Sequence, residues 1–255
     1  MNPKTESVFL YITGAGVSAE SGIPTFRGND GFWTIGSQNY TPQEMATREM
    51  YIERPEEFLL WYFKRFASYR HILPNDVHYW LSKKKLITQN VDGLDGKASN
   101  LEYIPIHGRL DKALRFSDMD EIVPLIDAPW EKVVSVTNNL DNDVELKKNL
   151  LEFFYISNKT KKPELGKSLR PFILLFDEYY TDLYRMSEAE KWMSESNHFI
   201  FIGTSFSVNI TNIALRFAIA NKAIIEIVDP NPVDIGIDGI IYHKMSAKEY
   251  IRQAS

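Results

Sequence analysis

Five short apolar runs punctuate the chain: SVFLYIT at 7–13, LITQN at 86–90, PFILLF at 171–176, HFIFIGTS at 198–205 and AIIEIVD at 223–229. Each is rich in Ile, Val, Leu or Phe and lacks strict polar alternation, which predicts strands covered on both faces. Helical spacing lies between them. VHYWLSKKK follows Pro74-Asn75, SEAEKWMSES opens on a Ser-x-x-Glu cap, and NITNIALRFAIANK repeats apolar residues with a helical period. Strands alternating with helices imply right-handed crossovers and a doubly wound α/β fold around a parallel sheet.

Two stretches interrupt this rhythm. Residues 31–70 hold aromatic helical material, RPEEFLLWYFKRFASY, and residues 109–167 are polar and mixed. Both read as insertions that form a smaller module beside the sheet. The lysine-rich NKTKKPELGK inside the second reads as a solvated loop.

Composition narrows the chemistry. A length of 255 residues with 44% hydrophobic and 25% charged residues suits a globular protein with a substantial core. A net charge of −5 argues against a broad nucleic-acid surface. The chain has no cysteine, which removes disulfides, thiolate nucleophiles and cysteine-held zinc. The first residues do not resemble a secretory signal, and no window reaches the roughly 18 apolar residues of a membrane span, so a cytoplasmic protein is expected.

Candidate chemistry gathers where strands end. In YITGAGVSAESG, Gly14, Ala15 and Gly16 follow a strand and precede a helix, where bare backbone N–H groups suit a pyrophosphate. PTFRG then offers Phe26 as a cover and Arg27 as a phosphate partner. TQNVDGLD presents Gln89, Asn90 and Asp92 at a second strand end, and IPIHGR places His107, a potential general base, before Gly108. Gly203, Thr204 and Ser205 close the fourth run, and Asp229 closes the fifth, where a carboxylate can accept from ribose hydroxyls. Taken singly, each of these also fits an ordinary turn, a cap or a core histidine. His71, His78, His198 and His243 show no metal-ligand spacing.

Together, in this order, GAGVSAESGIPTFRG, GFW at 31–33, MATREMYIERPEEFLLWYFKR, PNDVHYWL, TQNVDGLD, IHG, RPFILLFDE, GTSFSVN and VDPNP resemble the sirtuin family, the Sir2-like NAD-dependent protein deacylases. The resemblance implies a Rossmann-type NAD domain built from 1–30, 71–108 and 168–255, with 31–70 and 109–167 as the small module. It implies that Gly14, Ala15, Gly16, Phe26 and Arg27 hold NAD, that Gln89, Asn90 and Asp92 line its ribose and nicotinamide end, and that His107 is the general base, with Asn90 beside it. Gly203, Thr204, Ser205 and Asp229 fall with the cofactor contacts. Leu174, Phe176, Asp177 and Glu178 fall where an acylated-lysine peptide or protein adds as a strand. In the family nicotinamide leaves, the acyl oxygen attacks the ribose, and the products are free lysine, nicotinamide and O-acyl-ADP-ribose.

Four departures shape the expectation. The paired CxxC motifs that hold zinc in many sirtuins are missing from 109–167, so packing by Leu114, Phe116, Ile122, Val123, Leu125, Ile126, Trp130 and LLEFFYI must replace the metal. Asp95 stands where a histidine often closes TQNxDGLH. Asp177 replaces the glycine of an FGE motif, placing a charge in the peptide segment. The Tyr and Arg that select acidic acyl groups in one sirtuin class align with Lys64 and Ala67, so desuccinylation is not expected. Two alternatives share the scaffold: an NAD glycohydrolase or ADP-ribosyltransferase, and a non-catalytic NAD-binding partner module.

Overall fold

The computed structural model describes residues 7–25, 40–118 and 121–254. Six parallel strands form the main sheet, β1 (Phe9–Thr13), β2 (Leu86–Thr88), β3 (Ile104–Pro105), β7 (His198–Ile202), β8 (Ile224–Val228) and β9 (Ile241–His243), in the order β3-β2-β1-β7-β8-β9. Leu10, Ile12, Ile87, Phe199, Phe201 and Ile227 are almost wholly buried in it, which explains the unbroken apolar runs. Helices α1 (Gly16–Ala19), α5 (Asp76–Leu81), α6 (Leu94–Lys97), α9 (Met186–Glu195), α10 (Asn209–Ala220) and α11 (Ala247–Gln253) connect or follow these strands. Asn75 caps α5 by accepting from the Val77 and His78 amides.

A second, three-stranded sheet joins β5 (Ile126–Asp127), β4 (Gly108–Arg115) and β6 (Leu169–Ile173) in antiparallel register. This corrects the expectation for PFILLF. Its first residues are a buried strand, but they pair with β4 outside the parallel sheet. An apolar run reports burial on two faces, and both sheets supply that. The Ser-x-x-Glu cap expected for SEAEKWMSES is also absent. Arg185, in the left-handed region, opens α9, and Ser187 already lies inside the helix.

The second sheet and helices α2 (Pro42–Met45), α3 (Arg48–Glu53), α4 (Pro55–Tyr69), α7 (Trp130–Val136) and α8 (Asp143–Phe153) enclose a separate core. Phe58, Trp61, Tyr62 and Phe63 from α4 meet Trp130, Val133, Leu146, Leu150 and Phe154 there. The Trp130 indole donates to the Leu110 carbonyl over 2.7 Å, so its one polar group is satisfied in the interior. Phe116, Trp130, Leu150, Leu151, Phe154 and Ile156 fill the core as expected. Ile122, Leu125 and Ile126 are exposed, and Leu114 joins a smaller cluster with Phe172 and Tyr184. Among the described residues no group of three His, Asp or Glu side chains could hold a metal, and no helix is long and apolar enough to cross a membrane.

Trp130→Ala should therefore cost about 3–5 kcal/mol of unfolding free energy in urea, the range for emptying a buried tryptophan site. Chelator treatment should leave the wild-type midpoint in place; a midpoint that drops with chelator would show that packing is not what holds this core.

Candidate active site

The parallel sheet reverses direction between β1 and β7: the chain runs outward through β2 and β3, then returns to β7 and continues outward to β9. Ligand crevices in open α/β sheets open at such switch points, at the carboxyl ends of the strands. Here the turn after β1 meets the end of β7 backbone to backbone. The Gly14 amide donates to the Ile202 carbonyl and the Gly16 amide to the Gly203 carbonyl, at 3.0 and 2.9 Å. A Cβ on Gly203 would lie 2.7 Å from Gly16 Cα, and Gly203 holds φ +61. The three glycines are thus required by the contact between two chain ends, and the same bareness leaves a backbone-walled cradle of the kind a pyrophosphate needs. The Gly14, Gly16, Val17 and Ser18 amides donate to internal carbonyls, so what this turn and the four-residue α1 offer is close approach to the backbone.

The polar residues of the second strand end tie this cradle together. Asn90 donates to the Gly14 carbonyl at 3.1 Å and to Ser18 Oγ at 3.2 Å. Gln89 donates to Thr204 Oγ1 at 3.1 Å, which bridges the β2 and β7 ends. Thr13 and Thr88 are joined at 2.9 Å beneath them. Ser18 Oγ donates to Asp92 at 2.6 Å, and the buried His78 ring stands 3.4 Å from the same hydroxyl. Burial lowers the His78 pKa, with Asp92 opposing. Ser18 and His78 were not singled out from sequence. The signal was their place within GAGVSAESG and PNDVHYWL, whose helices face one another.

His107 follows β3 at the same carboxyl rim. Its Nδ1 lies 3.1 Å from the Gln89 carbonyl, which can only accept, so Nδ1 carries the proton and Nε2 carries the lone pair. Nε2 is 3.0 Å from the Tyr180 hydroxyl, which therefore donates to it. Burial pushes the His107 pKa down to about 4, so the imidazole is a neutral base at neutral pH. Gly108 adopts φ +84, and a side chain there would drive into the Phe172 carbonyl, so glycine after the histidine is a packing requirement of the β4–β6 pair.

The other expected residues divide. Ser205 bonds Ser207 at 2.9 Å beside Thr204, and Asp229 accepts from the Asn231 amide in the turn after β8. Phe26 and Arg27 lie outside the described residues. In the peptide segment, the Leu174 amide donates to the His107 carbonyl and the Phe176 amide to the Ala46 carbonyl, while the Phe176 side chain is exposed. Asp177 accepts from the Arg48 and Glu49 amides at 2.7 and 3.1 Å, capping α3. Glu178 forms a buried bidentate pair with Arg170 at 2.6 and 3.1 Å. On α4, Lys64 pairs with Asp143 toward solvent. Tyr62 and Arg65 lie on the buried face of that helix, where Arg65 donates to the Trp61 carbonyl at 2.9 Å.

Asp95, the substitute for a frequent family histidine, is almost fully buried on α6. Burial, with Asp92 nearby, raises its pKa to about 7, and one carboxylate oxygen has no hydrogen-bond partner among the described residues.

A sequence model of the Sir2 family matches residues 14–210. The chain is 29% identical to an NAD-dependent protein deacylase of Thermus thermophilus, over 88% of this chain and 80% of that protein. It is 31% identical to an NAD-dependent protein deacetylase of Sulfurisphaera tokodaii, over 82% of this chain and 74% of that protein. A crystal structure of a Sir2 homologue in complex with NAD superposes with TM-score 0.71 at 26% identity, covering 98% of this chain and 91% of that one.

Two titrations should oppose each other. The folded Asp95 value lies above the unfolded one of about 3.9, so Asp95 lowers stability progressively as pH rises from about 4 to about 7. The folded His107 value lies below the unfolded one of about 6.5, so stability falls as pH drops from about 6.5 to about 4. Asp95→Asn should gain stability over wild type by an amount that grows from pH 4 to pH 7. A pH-independent difference in denaturant unfolding would contradict the buried acid.

Proposed function

The chain belongs to the Sir2 family and is an NAD-dependent protein deacylase, and from that premise we propose which of its residues do the work. His107 is the general base, Gln89, Asn90 and Asp92 receive the nicotinamide riboside, and the Gly14–Gly16 turn with Gly203, Thr204 and Ser205 receives the diphosphate. Phe26, Arg27 and Asp229 complete the cofactor contacts, and Leu174 to Glu178 flank the acylated-lysine peptide.

The observation that carries this reading is the fixed tautomer of His107. The Gln89 carbonyl holds Nδ1–H, so Nε2 is the atom that takes a proton. Depression of its pKa to about 4 keeps that nitrogen free at physiological pH. The same residue, Gln89, spans to Thr204, so base and cradle share one rigid link. NAD supplies an electrophilic ribose carbon once nicotinamide departs. The side chains that meet the growing positive charge are neutral amides and the Asp92 carboxylate held by Ser18, a set suited to stabilising it. Histidine-assisted proton removal contributes about 10²–10⁴-fold in such sites.

Incubation with NAD and acylated-lysine peptide should release nicotinamide and O-acyl-ADP-ribose by mass spectrometry, and His107→Ala should reduce turnover by at least about a hundredfold. Nicotinamide release that is independent of peptide would instead establish a glycohydrolase.

A further inference from the structure

The lone pair that makes His107 a base is not open to solvent: it is taken by a phenol. Tyr180 lies in the loop between β6 and the 3-10 turn Asp182–Tyr184, and its ring is nearly parallel to the imidazole, at 21° with centroids 5.9 Å apart. Its hydroxyl is 3.0 Å from Nε2. Donors and acceptors run in one direction: phenol O–H to Nε2, and Nδ1–H to the Gln89 carbonyl. Tyr180 also packs with Phe206 and Val208 against the sheet core. The phenol is thus built into the fold and not a chance rotamer on a surface loop.

We propose that Tyr180 is a positioning residue that closes the base in the ligand-free enzyme, and that the ribose hydroxyl must displace its O–H from His107 Nε2 to bind productively. This rests on the assignment of His107 as the base. The contact has two consequences. It holds the imidazole plane and tautomer ready before substrate arrives. It also makes ribose binding an exchange of one hydrogen bond for another, so each ribose–imidazole contact is weakened by the bond it replaces. Burial raises the Tyr180 pKa to about 12, so the phenol keeps its proton and remains a donor across the working pH range.

Tyr180→Phe keeps the ring and removes the donor. Calorimetric affinity for ADP-ribose, which carries the ribose hydroxyls without nicotinamide, should rise about two- to tenfold, the span expected for relief of one neutral hydrogen bond. In ¹⁵N-histidine spectra of the ligand-free protein, the His107 Nε2 resonance should move on the same substitution, and in wild type it should move on adding ADP-ribose. A merely structural tyrosine would move neither. Unchanged or weaker ADP-ribose affinity in the variant, or a His107 resonance indifferent to the hydroxyl, overturns the proposal. Both measurements are free of turnover, so failure of the base assignment, seen as full activity in His107→Ala, is read separately.

Discussion

The contact on which the rest of the site depends is made of backbone alone: the turn after β1 pressed against the end of β7. Gly14, Gly16 and Gly203 permit an approach that any side chain would block. Two amide-to-carbonyl bonds across that seam set the relative height of two strand ends. Once they are set, Asn90 can reach the Gly14 carbonyl and Gln89 can reach Thr204. A methyl at the seam would separate the ends by a few tenths of an ångström or more, and each amide bond above it would lengthen together. The glycines are therefore a mechanical joint as well as the proposed phosphate cradle.

Above the joint, the fold controls charge by enclosing groups in their neutral forms. His107 is held unprotonated by burial, and burial with Asp92 nearby raises the Asp95 pKa to about 7, so that a substantial share stays protonated near neutral pH. At the same rim the Asp92 side chain is fixed by Ser18 and by the Leu94 amide. A reaction that develops positive charge on a sugar carbon needs an environment whose dipoles are already oriented, with no mobile cation competing. Tyr180 extends the same economy of charge to the base itself, since a phenol donor stabilises neutral imidazole without adding a charge.

Much of this was legible in the sequence because the constraints are local. Apolar runs located β1, β2, β7 and β8, and the strand-end motifs located Gln89, Asn90 and His107. What sequence could not show was partnership. PFILLF has the same composition whether it joins a parallel sheet or β4, and only the path of the chain decides. Ile122, Leu125 and Ile126 look like core, but only an edge strand of two residues forms there and they remain exposed. Ser18, His78 and Tyr180 act through contacts 60 or more residues away, a distance at which no periodicity carries information.

The second core bears on the site through β6. That strand is held in the small sheet by β4, and it leads directly into Leu174, whose amide bonds the His107 carbonyl. The peptide segment is then clamped twice more, by Asp177 on the α3 amides and by Glu178 on Arg170. Breaking a buried pair such as Arg170–Glu178 by removing one partner costs several kcal/mol, because the other charge is left enclosed. The aspartate in place of glycine is thus explained by what it holds: its carboxylate is spent on the amides of a helix terminus. In a chain without thiolates, aromatic packing around Trp130 and these ion-to-backbone clamps fix strand β6 against the segment bearing His107, and the loop bearing Tyr180 begins where the clamps end.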